Sequence, residues 1–537
     1  MATTAQELYE AACEQHKRKN FGATLKILDE IKRLDPTFKR AYYLEGWTWE
    51  ELGNYVKEYY ALEKILPLLK FSSPKEVEFA SEVLSHIGDA CAGLGLREEA
   101  KSFYRLCMNF FHESGTEREV CNLIFRENSI EDSTPESFRA LYEEYQKTFA
   151  DVVPYPRKFY AHEKIRVGFL SADFGYSVIV KWSRALLTKL DKNFFATYFY
   201  SGVKKPDDLT EKLRATADGW RDIFDLTDED AAQLIRNDEI DILFDLNGHT
   251  TGNRMRVAAY HPASVQVCGI GDVSSTGLKC FEYFLSDVHC AGDENYFVEK
   301  LIKLPHSHFC YEERTKFEPA PFPPCMKNNF VTFGCFNQFH KITDSMLRAW
   351  KKILDAVPDA HLLLKTKTFN TEDGRNFIGR QLEELGFDLG RVEMRGISNT
   401  WLAEYADVDI ALDTFPYTGG VTTCEALYMG VPVVSLYGAR HGSRFGLSIL
   451  KNVGLEELAV ASYDEYIARA VMLANDWELL TLLRKNLRTM MKNSPLMDSE
   501  LYLREIQAAF KKILDEQKNF WGNVNGDDRA RTLRSCV

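Results

Sequence analysis

After Pro156 the chain settles into an alternation that few folds can satisfy, in which short β-rich runs take turns with amphipathic helical stretches. KIRVGFLS, SRALLTKL, ATYFYSGV, AAQLIRNDE, IDILFDLNG and VQVCGIG succeed one another, a texture that predicts a parallel sheet covered by helices on both faces. A polar, proline-rich interval, ERTKFEPAPFPPCMKNN, interrupts it and marks a domain boundary. The alternation resumes with FVTFGCFN, MLRAWKKILDAV, HLLLKTK, FIGRQLEELGF, RVEMRGIS, VDIALDT, TTCEALYMG and VPVVSLYG. Two doubly wound α/β units in tandem are expected, over 161–325 and 326–519, with the ligand cleft between their strand C-terminal ends. Met497 to Gln517 reads as one long final helix, and 520–537 as a polar, disordered tail.

Residues 1–128 carry a different signal. Asn20-Phe21 recurs as Asn54-Tyr55 and Ala12 as Gly46, both 34 positions on, the tetratricopeptide period. A stretched copy lies 42 positions further, with Gly88 for Gly46 and Leu94-Gly95 for Leu52-Gly53, and Ala100 as its helix-packing alanine. Asp35-Pro36 ends a helix where such repeats end. Small residues at Ala12, Gly46 and Gly88 let paired helices approach closely. The array reads either as a concave surface for peptide or partner protein, or as a cap that stabilises the α/β units. Residues 129–160 read as a helical linker, since SFRALYEEYQKTFA has helical spacing and VVPYP then breaks it.

The 537-residue length suits several domains, and a hydrophobic fraction of 45% supports a large core. Lys+Arg 66 against Asp+Glu 79 gives a net charge of -13, which disfavours a nucleic-acid partner. The opening MATTAQELYEAACEQHKRKN is polar and no run of about 18 apolar residues occurs, so a cytoplasmic protein without a membrane span is expected. The 12 cysteines form no CxxC pair and read as reduced core thiols rather than a disulfide or zinc framework.

The most informative loop is LDTFPYTGGVTTCEALYMGVPVV. Gly419-Gly420 bend where a Cβ would clash, and Val421-Thr422-Thr423 begin a helix whose first N–H groups have no intrahelical partner. That is an anion site, with hydroxyls at Thr422 and Thr423 and with Glu425 one turn in to accept from ribose hydroxyls; packing is the plain alternative. In GCFNQFHKITDSM, Gln338 and Lys341 sit at a strand end facing the same cleft, though a lone lysine there also serves as a solvated helix cap. Together the two loops favour a nucleotide diphosphate.

The repeats, succeeded in order by KIRVGFLSADFG, DLNGHTTGNR, HPASVQV, FGCFNQFHKIT, ALDTFPYTGGVTTCEALYMGVPVV and GSRFGLSIL, resemble the O-GlcNAc transferase family of protein glycosyltransferases, from about Ile165 to Leu514. The resemblance implies a GT-B fold of two Rossmann-like domains behind TPR-like repeats. It also implies an inverting transfer from a UDP-sugar, commonly UDP-GlcNAc, to protein hydroxyls, with no metal and no further cofactor; a related bacterial branch glucosylates asparagine. By position, Gln338 and Lys341 match residues that meet the UDP diphosphate, and Thr422 matches a hydroxyl near it. Glu425 stands where the family has an acidic residue on the ribose, Trp401 where a histidine usually stacks on uracil, and Thr418 where asparagine is frequent. The implied partners are a UDP-sugar and an acceptor protein or peptide, reached through the repeats; homo- and hetero-oligomers both stay open.

The acceptor side departs from the pattern. Ser177 replaces the usual histidine, and Gly271-Asp272-Val273 stands where the family has Gly-Tyr-Pro. His249, in DLNGHTTG, is then the surviving titratable candidate for base, against a packed histidine; Asp272 is a second, and Asp173 is read as holding a loop through backbone N–H groups. Arg440, His441 and Arg444 read as a positive field for the donor or as a solvated helix start. Two expectations result: a glycosyltransferase with Lys341 and the Gly419–Thr423 loop stabilising departing UDP, or a catalytically silent homologue that binds nucleotide sugar or recruits a partner.

Overall fold

The computed structural model describes residues 4–110, 116–313 and 315–523. The chain begins as antiparallel helical hairpins: α1 Ala5–Lys17 with α2 Phe21–Leu34, α3 Lys39–Glu51 with α4 Tyr55–Glu63, and α5 Pro74–Gly93 with α6 Arg97–Phe110. α7 Thr116–Glu127 and α8 Pro135–Lys147 continue the stack. Local chemistry sets the starts: Thr4 and Glu7 form a capping box, and Ser73 caps α5 ahead of Pro74. The repeat glycines are there for closeness. A Cβ on Gly46 would lie 2.7 Å from Leu62, and one on Gly88 2.6 Å from Tyr104, so these TPR-like hairpins pack only because both positions lack a side chain.

Two parallel sheets come next. The first comprises β1 Ile165–Ser171, β2 Phe195–Ser201, β3 Gly219–Asp222, β4 Ile242–Asp245, β5 Val265–Gly269, β6 Tyr283–Asp287 and β7 Lys300–Leu304, in the order β3-β2-β1-β4-β5-β6-β7. The second comprises β8 Thr332–Cys335, β9 His361–Lys365, β10 Val392–Arg395, β11 Ile410–Leu412, β12 Val433–Leu436 and β13 Ala459–Val460, in the order β10-β9-β8-β11-β12-β13. In each, the order reverses between the first and fourth strands, opening a switch-point crevice at the strand C-terminal ends. The GT-B arrangement of two Rossmann-like domains expected from the sequence is thus present. Cys325 already belongs to the second domain, its N–H donating to Asp409 at 2.9 Å.

The last helix, Ser499–Asn523, corrects an expectation. Counted with the second domain from sequence and ended near Gln517, it runs six residues further and lies on the first domain instead. Phe510 packs on Phe244 with ring centroids 6.1 Å apart, Glu516 pairs with Lys300 at 2.9 Å, and the Asp191 N–H donates to Gln507 at 3.1 Å. Its buried stripe of Ile506, Phe510 and Ile513 covers part of the first sheet. Residues 524–537 of the expected tail lie outside the described residues.

The helical array is continuous with both Rossmann domains. Ile87, Tyr104, Ile124 and Tyr142 share one hydrophobic cluster with Met255, Cys268, Leu278 and Phe284 of the first. To the second domain, Arg97 donates to the Ile342 carbonyl at 2.6 Å, Thr368 to the Gly93 carbonyl at 2.9 Å and Asn54 to Asp373 at 2.8 Å. The described cysteines are all free, and all but Cys13 are buried. Among the described residues, no helix is long and apolar enough to cross a membrane.

Candidate active site

The loops after β8 and β11 meet at the second switch point, joined by a bridge between Ile342 and Phe415. From the first, Lys341 extends its Nζ over the Tyr417 ring of the second, 3.5 Å from the centroid. Among the described residues, no carboxylate comes within ion-pair distance of this ammonium. Burial lowers its pKa to about 8, and nearby Asp413 holds it from falling further. Asp413 is itself raised to about 6 by burial, with its oxygens taken by Ser435, Gly419 and Thr414. An uncompensated cation therefore faces the crevice. Gln338, beside it, is exposed and touches Thr366 Oγ1 at 3.4 Å.

The helix Val421–Tyr428 starts four residues after Tyr417, the ring under this lysine. Its cap residue, Gly420, has no side chain to satisfy the first N–H groups, so the positive end of the helix is left for a ligand. Thr422 is half-buried, and its hydroxyl donates at 2.9 Å to Asn337, a residue that sequence reading alone does not single out. The other loop residues have structural tasks. Gly419 is boxed in, since a Cβ would sit 2.6 Å from Thr422 Oγ1, and its N–H turns inward to Asp413. Thr423 donates to the Gly419 carbonyl at 3.0 Å. Thr418 is fully buried and anchored to the Gly442 carbonyl by both its N–H and its hydroxyl, so it holds the loop and offers nothing to the crevice.

Glu425 and Trp401, the two residues read from sequence as the ribose and base contacts, meet each other: the indole N–H donates to Glu425 at 3.1 Å. What the sequence did not disclose is Lys181. It comes from the other domain, on α9 Val178–Lys189, and crosses the cleft to Glu425 at 2.6 Å, with its ammonium 5.3 Å from the Trp401 ring centroid. Burial raises the Glu425 carboxyl, and Lys181 and Trp401 pull it back. Trp182, the next residue, stacks on Phe309 at 4.2 Å and lies against Gly420. Only the i, i+4 spacing of Ser177 and Lys181 could have hinted at this, by putting both on one helix face.

The acceptor side differs from its sequence-based assignment. Ser177 is the N-cap of α9: its hydroxyl accepts from Val180 N–H and donates to the Asp173 carbonyl at 2.8 Å. His249 is the packed histidine. Its Nδ1 lies 3.2 Å from Cys121 Sγ and its Nε2 3.2 Å from the Ser275 carbonyl, and burial pushes its pKa down to about 4, too low for a base near neutrality. Asp272 is also occupied, accepting from His249 N–H at 2.9 Å and Val273 N–H at 2.7 Å, and burial raises it to about 7. It clamps two loops together at close quarters: a Cβ on Gly248 would collide with its Oδ2, and one on Gly271 with the Leu246 carbonyl. Asp173 holds the Asn247 amide at 2.8 Å rather than the backbone N–H groups anticipated, and burial raises its pKa. A cavity of about 730 Å³, lined in part by Asp89, Arg118, Phe125, His249 and Asn253, opens between the helical array and the loop after β4.

Arg440 and Arg444 supply neither donor field nor solvated face. Arg440 donates to the Glu127 and Ile130 carbonyls, Arg444 to those of His289 and Gly438, and both bolt the second domain to its neighbours.

Comparison with known proteins agrees with this geometry. Residues 145–320 and 325–506 match the family described as glycosyl transferase family 41. The chain is 36% identical over 378 residues to a probable UDP-N-acetylglucosamine–peptide N-acetylglucosaminyltransferase SPINDLY of Hordeum vulgare, a match covering 69% of this chain and 40% of that protein. It is 26% identical over 368 residues to the SEC protein of Arabidopsis thaliana, named as a probable enzyme of the same kind, across 65% of this chain and 37% of that one. The chain thus spans about 40% of the length of the curated relatives it matches. Among solved structures, a lysine-to-methionine mutant of the Thermobaculum terrenum O-GlcNAc transferase superposes with a TM-score of 0.87 at 27% identity, covering 97% of this chain and 100% of that one. Helical hairpins, two facing switch points and a match across both Rossmann domains agree: this chain belongs to glycosyl transferase family 41.

Proposed function

We propose that the chain is a protein glycosyltransferase that moves a sugar from a nucleotide diphosphate donor, UDP-GlcNAc first among them, to side chains of an acceptor protein. The observation that carries this reading is Lys341, an ammonium without an ion-pair partner among the described residues, held over Tyr417 in the loop that leads to the uncapped start of the helix Val421–Tyr428. Cation and helix end together offset the charge that grows on a departing diphosphate, the work a divalent ion does elsewhere. Displacement from the opposite face of the sugar, with inversion, then needs only the acceptor's oxygen or nitrogen and a proton acceptor. Asp173, at the C-terminal end of β1 with one polar side-chain partner and a raised pKa, suits that last role better than Ser177, His249 or Asp272. Glu425 and Trp401 would take the ribose and the base, and the 730 Å³ cavity gives a peptide a route past the helical array.

The test is transfer from labelled donors to a proteome-derived acceptor mixture. UDP-GlcNAc, UDP-glucose and guanosine diphosphate sugars are assayed separately, without added magnesium or manganese, and the anomer of the product is read by NMR. Transfer abolished by Lys341→Met supports the proposal; no transfer from any donor, with UDP and GDP both failing to bind, overturns it. A second reading, a silent homologue that binds nucleotide sugar, is favoured by the engagement of Ser177 and His249 in packing. It predicts calorimetric binding that depends on Lys341 but no turnover, whether in the wild type or in Ser177→His.

A further inference from the structure

The junction of the two Rossmann domains contains a second cluster that the proposed transfer does not use. Cys290 lies just after β6 and His308 just after β7 in the first domain, while His441 comes from the second, just after β12; all three are buried. One ligand atom from each lies within 4.8 Å of those of the other two. His441 is 2% exposed, and neither of its ring nitrogens has a hydrogen-bond partner among the described residues. The Val273 carbonyl lies near the ring without reaching hydrogen-bond geometry. A buried imidazole with two idle nitrogens costs free energy unless something uses them.

The surroundings are arranged as around a metal ligand. His308 Nδ1 sits 2.6 Å from Asp287, whose carboxylate also takes the His308 N–H, the Ser448 hydroxyl and the N–H groups of His289 and Cys290. That carboxylate–imidazole pair fixes the ring and leaves Nε2 as its remaining ligand atom. The Cys290 thiol donates only weakly, to the Arg444 carbonyl at 3.4 Å. Zinc bonds of about 2.3 Å to sulfur and about 2.0 Å to nitrogen place neighbouring ligands about 3.5 Å apart, so shifts of about 1 Å bring these three to bonding distance and leave the fourth tetrahedral position to a solvent ligand. A divalent ion, one thiolate and the Asp287 carboxylate sum to zero charge, with the Arg444 guanidinium as a further positive group nearby. We infer that Cys290, His308 and His441 bind one zinc-class cation that fastens the first Rossmann domain to the second, next to Gly442, the anchor of Thr418.

Binding converts the Cys290 thiol to a thiolate and releases its proton to solvent, so occupancy falls as pH is lowered. The test uses the full chain, stripped of metal and then titrated with zinc alone, or with cobalt as a spectroscopic reporter. Expected are one equivalent retained per chain after dialysis, a thiolate-to-cobalt charge-transfer band, and a higher melting temperature with zinc. Cys290→Ser removes the charge-transfer band, and His441→Gln weakens retention by about tenfold or more. Sub-stoichiometric zinc, no charge-transfer band in the wild type, or retention undiminished when both substitutions are combined would overturn the assignment. Because the wild-type titration decides by itself, a variant that fails to fold does not blunt the test.

Discussion

Lys341 stays charged at a cost. Its pKa of about 8, against 10.5 for a free lysine, means that between those values the unfolded chain holds a proton the folded chain has released. Stability therefore rises with pH across that window, while below it the penalty for the ammonium is fully present. Lys341→Met is expected to melt higher than wild type at pH 7 while losing about 10²–10³ in kcat, read by calorimetry and transfer assay. The same value predicts that kcat/KM for the donor declines above about pH 8, where free enzyme loses its cation. Asp245 gives the opposite slope. Burial and the Asp272 charge raise it to about 7, and its Oδ1 has no partner among the described residues. Between about 4 and 7 the folded state binds a proton that the unfolded state lacks, so stability falls as pH rises through that range. Asp245→Asn keeps an oxygen for the Gly248 N–H and should flatten that fall, as urea titrations from pH 4 to 8 would show. The positions of Lys341 and Glu425 were legible in sequence because one follows a strand end and the other lies one turn into a helix that begins at a glycine loop. Ser177, His249 and Asp272 were not, since residue type alone cannot reveal which hydrogen bonds are already spent.

At the scale of elements, α9 is the piece that reaches across. Its Lys181 neutralises Glu425, and its Trp182 seals Gly420, so the donor crevice is walled by a helix of the opposite domain. Lys181→Met strands a buried carboxylate. Because the lysine is partly exposed, the expected loss is about 1–3 kcal/mol, below that of a fully buried pair. Donor KM should rise several-fold with kcat at saturation nearly unchanged, separating this residue from Lys341 in steady-state kinetics. Such cross-domain contacts escape sequence reading because nothing local encodes them. The core strands were legible from their apolar runs. Edge strand β3, with the sequence GWRD, and two-residue β13 have too little pattern to announce themselves, and β7, KLIKL, alternates over only five residues.

For the molecule as a whole, the helical array behaves as part of the two-domain α/β body. Its shared cluster with Phe284 and Cys268, and its hydrogen bonds that join Arg97 to Ile342, Gly93 to Thr368 and Asn54 to Asp373, tie three regions into one packed unit. The 537-residue chain should melt in a single transition. A chain lacking residues 1–128 should bind a hydrophobic dye and melt well below it, an outcome scanning calorimetry separates from simple loss of acceptor binding. The 34-residue spacing disclosed the hairpins. It could not disclose that their inner face is spent on the first sheet, because that face is apolar in either case.

The return of the final helix to the first domain has a mechanical consequence. The main chain passes between the two lobes at two separate places, once after β7 and once ahead of Ser499. Together with the Arg444 bond to the His289 carbonyl and the pair between Lys181 and Glu425, those two crossings hold the walls of the crevice in one register. Anything that enters between the two walls at that point must therefore part a 2.6 Å ion pair first.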